Sequence, residues 1–293
     1  MGVEKHDLVT GRATTGHEWN GIEELETPIP RVVFVFLGLA TLIAILCWIL
    51  WPAWPLGSTY TKGTLGADQR KEVTQQVADA DAKRASAWAG KVAALPLADI
   101  RTSPALMGPV KDAGRTLFVD NCAACHGVGG TGGVGFPDLT AKTWLWGGEL
   151  ETIAETIRIG INSTNDDTRM SQMMAFGRDK VLEPAQISNV VAYVRSLSGL
   201  APDAGDAGRV TAGKTIFAEN CAACHGETGT GNREVGAPNL TDHTWLYGSD
   251  TNTVYATVYS GRQGHMPNWG ARLSPLQVKI LALYVDSLEK APK

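Results

Sequence analysis

A polar stretch of 31 residues opens the chain, and the next 23, from Val32 to Trp54, carry no charge. As a helix that run spans about 35 Å, enough to cross a bilayer. Trp48, Trp51 and Trp54 gather at its far end, where interfacial aromatics sit, and Pro52 and Pro55 stop a helix there. A cleaved signal peptide is excluded, because six acidic residues lie in the preceding segment and no small-x-small site follows. Ala44-Ile45-Leu46 is likewise a poor lead for lipoprotein processing at Cys47, which reads as a lipid- or helix-facing residue without a redox task. Ala67 to Leu95 is rich in Ala, Gln, Lys and Glu and predicts a helix, after which Pro96, Pro104 and Pro109 make a connector. Two later segments repeat apolar residues at steps of three and four. Ile187, Val190, Val191, Val194 and Leu197 follow Glu183-Pro184; Val278, Leu281, Ala282, Val285 and Leu288 follow Ser274-Pro275. A linker over Leu200 to Gly208 separates the halves that these helices close.

Charge alters this picture little. The 26 Lys and Arg against 30 Asp and Glu give a net charge of −4, so no basic field exists for a nucleic-acid backbone. The five cysteines change it decisively. Four lie in two copies of one pentapeptide, Cys122-Ala123-Ala124-Cys125-His126 and Cys221-Ala222-Ala223-Cys224-His225. Two thiols three positions apart on a helical turn reach the two vinyl groups of one haem, and the adjacent His meets the iron. A thioredoxin-like pair needs a βαβ pattern and structural zinc needs two further ligands per site; neither accompanies these motifs. The expected cofactors are two covalently bound haem c groups, attached through Cys122, Cys125, Cys221 and Cys224, with His126 and His225 as axial iron ligands.

Because the motifs recur after 99 residues, their flanks form an internal repeat. Ala113-Gly114-Arg115-Thr116-Leu117-Phe118 matches Ala212-Gly213-Lys214-Thr215-Ile216-Phe217, Pro137-Asp138-Leu139-Thr140 matches Pro238-Asn239-Leu240-Thr241, and Thr143 to Gly147 matches Thr244 to Gly248. Met173-Met174-Ala175-Phe176-Gly177 then aligns with Met266-Pro267-Asn268-Trp269-Gly270. Met173 and Met266 become the candidate sixth ligands, with Met174 and then Met170 as alternatives in the first copy and His265 as the fallback in the second. From Gly160 to Met173 is 13 positions, against 5 from Gly261 to Met266, so an eight-residue insertion lies in 161–169; its Asn165-Asp166-Asp167 reads as a solvated turn.

Each copy therefore runs opening helix, haem turn, Trp-bearing loop, Met loop and closing helix, which resembles a class I cytochrome c domain. The expected fold is mainly α, with one N-terminal transmembrane helix followed by two tandem class I cytochrome c domains: a tail over 1–31, the membrane helix over 32–54, a helical connector over 55–107, and domains over 108–200 and 201–293. Iron with both axial places filled transfers electrons and leaves no place for substrate. Competing readings are a free-standing membrane-anchored dihaem cytochrome and a dihaem peroxidase.

A further likeness covers nearly the whole chain. Thr15-Gly16-His17-Glu18-Trp19-Asn20-Gly21-Ile22-Glu23-Glu24-Leu25, Pro28-Ile29-Pro30-Arg31 and Trp51-Pro52-Ala53-Trp54-Pro55 resemble the segments around the membrane helix in the dihaem subunit of cbb3-type cytochrome c oxidases, the CcoP or FixP family. The first Met loop resembles that family's Met-Pro-Ala-Phe-Gly, with Met174 in place of Pro. The resemblance implies axial pairs His126/Met173 and His225/Met266 and no catalytic residue in this chain. It implies electron transfer from a soluble cytochrome c to a monohaem cytochrome c subunit and then to the catalytic haem-copper subunit, where oxygen is reduced and protons are pumped. It also implies a single pass through the bacterial inner membrane, with the N-terminus cytoplasmic and the haem domains periplasmic.

Overall fold

The computed structural model describes residues 5–141, 143–201, 203 and 207–288; the expected linker over 200–208 and the chain's last five residues lie partly or wholly outside these. The chain divides into two compact units, Met1–Asp81 and Ala82–Lys293.

In the first unit the segment read as a polar tail forms a hairpin. Strands β1 (Thr14–Trp19) and β2 (Ile22–Leu25) pair antiparallel, with Trp19 opposite Ile22. Asn20 and Gly21, with φ of 53° and 86°, make the two-residue turn, and this Asn-Gly pair was the sequence signal for it. The apolar helix α1 (Arg31–Leu50) has no buried residue and the length and composition to cross a membrane. It is 20 residues long, about 30 Å. It stops four residues short of the expected Trp54, because Pro52 forbids helical backbone at Trp51, which is extended. A strap then returns to the helix end: the amides of Thr64 and Leu65 donate to the carbonyls of Ile49 and Leu50 at 2.9 and 3.1 Å, groups the helix leaves open. Gly63, at φ +69°, makes this approach possible, since a Cβ there would meet the Leu50 carbonyl oxygen. The helix expected over 67–95 is α2 (Gln69–Arg84), a π-turn over Ala85–Ala89 and α3 (Gly90–Ala94).

The second unit continues through α4 (Leu97–Arg101), α5 (Pro104–Asn121), the short α6 (Ala123–His126), α7 (Leu150–Ile159) and α8 (Pro184–Leu197). The second copy supplies α9 (Ala207–Asn220), α10 (Ala222–His225), α11 (Thr251–Ser260) and α12 (Pro275–Asp286). Both closing helices begin as their sequences predict, on a Pro at the first turn inside a capping box. Pro109, expected to break the connector, lies inside α5, where it forfeits one backbone bond without ending the helix.

The halves exchange partners. The first copy's opening helix α5 packs against the second copy's closing helix α12, and α8 packs against α9. One core joins Phe118, Ile153 and Ile157 to Trp269, Val278, Leu281 and Val285. Another joins Phe176, Ile187, Val190 and Val194 to Phe217, Val254 and Val258. The boundary expected between residues 200 and 201 thus falls in the connection between two helices of one core. Val92, Leu97, Ile100 and Leu106, within the expected connector, are buried with Ile280 and Leu283 of α12. Lys279 of α12 clamps it, donating to the carbonyls of Val92, Ala93 and Leu95 at 3.3, 2.9 and 2.7 Å.

Candidate functional site

The two pentapeptides adopt one local structure. Cys122 and Cys221 each end an opening helix, and a single turn follows that stops at Gly127 or Gly226, whose φ of 75° and 78° suits glycine. This leaves Cys122 and Cys221 half-buried, with Cys125 and Cys224 exposed. Burial, with the neighbouring cysteine adding to it, pushes both half-buried thiols up to about 11. Each motif histidine is oriented by its own copy: His126 Nδ1 donates to the Pro137 carbonyl at 3.2 Å and His225 Nδ1 to that of Pro238 at 3.1 Å. Those carbonyls are held in turns where Thr140 bonds Asp138 and Thr241 bonds Asn239. Burial depresses both imidazoles below their ordinary value, the carbonyl bonds opposing it. With Nδ1 of each ring committed to a carbonyl, Nε2 carries the free lone pair of the neutral imidazole.

The methionines come from the opposite copies. Met266 borders the core of Phe118, Ile153 and Ile157 that Cys122, Ala123 and Leu139 also border, while Met173 borders the core of Phe217, Val254 and Val258 that Cys221, Ala222 and Leu240 also border. The expected pairings were Met173 with His126 and Met266 with His225; the packing groups each methionine with the first motif cysteine of the other copy. Backbone bonds carry the crossing: Ile161 and Met266 exchange both amide bonds at 2.9 Å, and Met173 and Arg262 exchange theirs at 2.8 and 3.2 Å. The Trp269 and Gly270 amides then donate to Ile157 and Arg158 at the end of α7, as those of Phe176 and Gly177 do to Val258 and Tyr259 at the end of α11. Gly160 and Gly261, at φ +73° and +68°, are required there, since a Cβ on either would come within 2.4 Å of the opposite methionine's carbonyl oxygen.

Exposure separates the first-copy candidates. Met174 is 56% and Met170 68% exposed, whereas Met173 is packed inward. His265 turns its Nδ1 to the Asn162 carbonyl at 2.8 Å, and His17 is exposed 3.6 Å from Glu24. Trp144 and Trp245 each join the core of their own copy's motif. Two functional carbonyls, on Pro137 and Pro238, escaped the sequence reading because a repeated Pro does not reveal where its oxygen points. The insertion is more than a solvated turn: Asn162 donates to the carbonyls of Ser171 and Gly264 and so ties the two crossing segments together.

These residues fit a covalently attached haem. Each core offers two thiols on one turn, an imidazole whose Nδ1 is fixed and whose Nε2 is free, and a thioether from the facing loop. Comparison with known proteins finds the cytochrome c family over residues 112–198, cytochrome c oxidase cbb3-type subunit III over 208–285, and the N-terminal domain of cytochrome oxidase-cbb3, FixP, over 11–58. The chain is 49% identical to the cbb3-type cytochrome c oxidase subunit FixP of Bradyrhizobium sp. (strain ORS 278) over 283 residues, 96% of each protein. It is 50% identical to FixP of Azorhizobium caulinodans over 283 residues, 96% of this chain and 94% of that one, and 45% identical to CcoP of Cereibacter sphaeroides over 276 residues, 94% of each.

The chain belongs to the FixP/CcoP family of cbb3-type cytochrome c oxidase subunits. It is an electron-transfer subunit of an oxidoreductase complex, built from two cytochrome c domains and carrying covalent haem c. As a FixP/CcoP chain its apolar helix α1 is compatible with membrane anchoring. In this chain the two copies share their closing halves, so each core is a composite of both copies.

Proposed function

We propose that this chain is a membrane-anchored dihaem relay that takes electrons from a soluble cytochrome c and delivers them to the monohaem and catalytic subunits of its oxidase, with the N-terminus cytoplasmic and both haem cores periplasmic. Bound haem supplies a one-electron carrier whose potential a methionine ligand raises. Cys122 and Cys125 would hold the first haem, with His126 and Met266 available to its iron; Cys221 and Cys224 would hold the second, with His225 and Met173 available. The observation that supports this crossed assignment is that Met266 borders the same core as Cys122 and Met173 the same core as Cys221.

The residues' tasks follow from their positions. The carbonyls of Pro137 and Pro238 hold each imidazole in one tautomer and turn Nε2 toward the iron. Phe118 and Phe217, 0% and 1% exposed, exclude water behind the cysteines. Since each core needs both copies, neither forms without the other, and the two haems are held at a fixed separation. The detergent-solubilised chain is expected to bind two haems by pyridine haemochrome assay. In a Cys122→Ala/Cys125→Ala variant, which keeps the second haem, Met173→Leu abolishes the methionine-to-iron absorption band and Met266→Leu preserves it. The reverse pattern refutes the crossed assignment.

A further inference from the structure

Counting back four residues from each methionine reaches Arg169 and Arg262, although an eight-residue insertion precedes the first. Their surroundings match. The Arg169 guanidinium lies 5.1 Å from the Trp146 ring centre and its Nε donates to Thr156 Oγ1 at 2.9 Å. That of Arg262 lies 4.0 Å from the Tyr247 ring centre, with Nε and Nη2 donating to Thr257 Oγ1 at 3.1 and 2.8 Å. Trp146 and Tyr247, like Thr156 and Thr257, are equivalent positions of the repeat.

Both arginines are half-buried, and among the described residues neither forms an ion pair with a carboxylate. Glu155, the acid within Coulombic range of Arg169, spends both oxygens on Arg158 at 2.8 and 2.6 Å. A guanidinium withdrawn from water and locked by a ring and a hydroxyl is costly until an anion completes it. The same unfinished arrangement in both copies points to an anion that both cores take in. Arg169 retains both terminal nitrogens for it, and Arg262 retains Nη1. The place is the seam between cores: the Trp146 ring stands where a Cβ on Gly236 would meet it at 2.4 Å, Tyr247 stands over Gly135, and the Gly135 amide donates to Leu246 at 2.7 Å.

We infer that Arg169 binds a propionate carboxylate of the haem attached at Cys122 and Cys125, and Arg262 one of the haem attached at Cys221 and Cys224, each cation raising the potential of its haem. The inference rests on the two-haem, crossed-ligand reading above. Neutralising a propionate beside the iron favours the ferrous form, which carries one positive charge fewer, so losing the guanidinium lowers the potential. The chain crosses between Arg169 and Met173 and again between Arg262 and Met266, so each arginine serves one haem and the methionine after it serves the other.

The test is an optical redox titration of the full-length protein in detergent, read as two one-electron steps labelled by Met173→His and Met266→His variants. Arg169→Gln is expected to lower the step that Met266→His moves, and Arg262→Gln the step that Met173→His moves. Each falls by about tenfold in the ferrous-to-ferric ratio at fixed potential, equivalent to about 59 mV. Arg169→Lys and Arg262→Lys retain more than half of the wild-type potential difference. Two unmoved steps in the Gln variants, or Lys variants that fall as far as Gln, overturn the inference. A shift by Arg169→Gln in the step that Met173→His moves leaves the arginine's role standing and overturns the crossed pairing instead.

Discussion

One methyl group on Gly114 tests which helices meet. A Cβ there would stand 2.5 Å from Tyr284 Cβ and 2.9 Å from Tyr284 Cγ, so α5 and α12 must separate or Tyr284 must turn out of its tilted contact with Phe118, whose ring centre is 5.5 Å away. In a tandem arrangement the same methyl would instead meet Tyr193. Overpacking of this kind costs about 1–3 kcal/mol, and replacing helical Gly by Ala returns about 1 kcal/mol of helix propensity. Gly114→Ala should therefore destabilise by about 1 kcal/mol. Gly213→Ala should cost more, about 2 kcal/mol, because its nearest neighbour is the Asn189 carbonyl oxygen at 2.0 Å, backbone that cannot rotate aside. The assay is urea unfolding of the holoprotein followed by tryptophan fluorescence, arranged as two double-mutant cycles. Removing the opposing side chain with Tyr284→Gly should couple to Gly114→Ala by about 1 kcal/mol or more, whereas Tyr193→Gly should add to it within about 0.5 kcal/mol. Coupling to Tyr193 in place of Tyr284 would refute the exchange of closing helices.

Three further outcomes are expected. Met174→Leu should leave both haem spectra and potentials unchanged, since Met174 faces outward, while Met173→Leu lowers one potential; an unchanged potential in Met173→Leu would remove Met173 from the axial role. Gly160→Ala should disturb the haem ligated by Met266, and Gly261→Ala the one ligated by Met173, each read as weakening of that haem's methionine absorption band; disturbance of the same-copy methionine contradicts the crossing strands. Lys279→Met keeps the aliphatic stem and loses three carbonyl contacts, costing about 1 kcal/mol for a partly solvated charge; faster limited proteolysis near Leu95 is the readout, and unchanged cleavage would show that the apolar packing alone holds the connector.

The parts of each site were legible because they are local. Cys-x-x-Cys-His needs only a helical turn, and Ser274-Pro275 and Glu183-Pro184 mark helix starts through caps that lie within four residues. The hairpin at Asn20-Gly21 was equally local and was passed over because its flanks are polar. The repeat's Met-x-x-aromatic-Gly spacing favoured Met173 and left Met174 as its alternative, since neighbouring residues in a loop differ in which side faces the core. Arg169 was concealed by the insertion, and only its return to Thr156 and Trp146 marks it as the counterpart of Arg262.

What the sequence determined alone was the number and kind of the pieces: an apolar helix, two haem motifs, two histidines, a methionine loop in each copy and the helices on either side. What it left undecided was which half completes which core. A repeat presents the same surfaces twice, so α8 and α12 carry equivalent faces and either could complement α5. The chain's connections break that tie. Only nine residues join Leu197 to Ala207, which makes α8 and α9 neighbours and leaves α12 to close over α5. Gly160 and Gly261 then let the two Met segments pass within backbone contact of one another, so that each methionine reaches the haem core that its own copy did not begin.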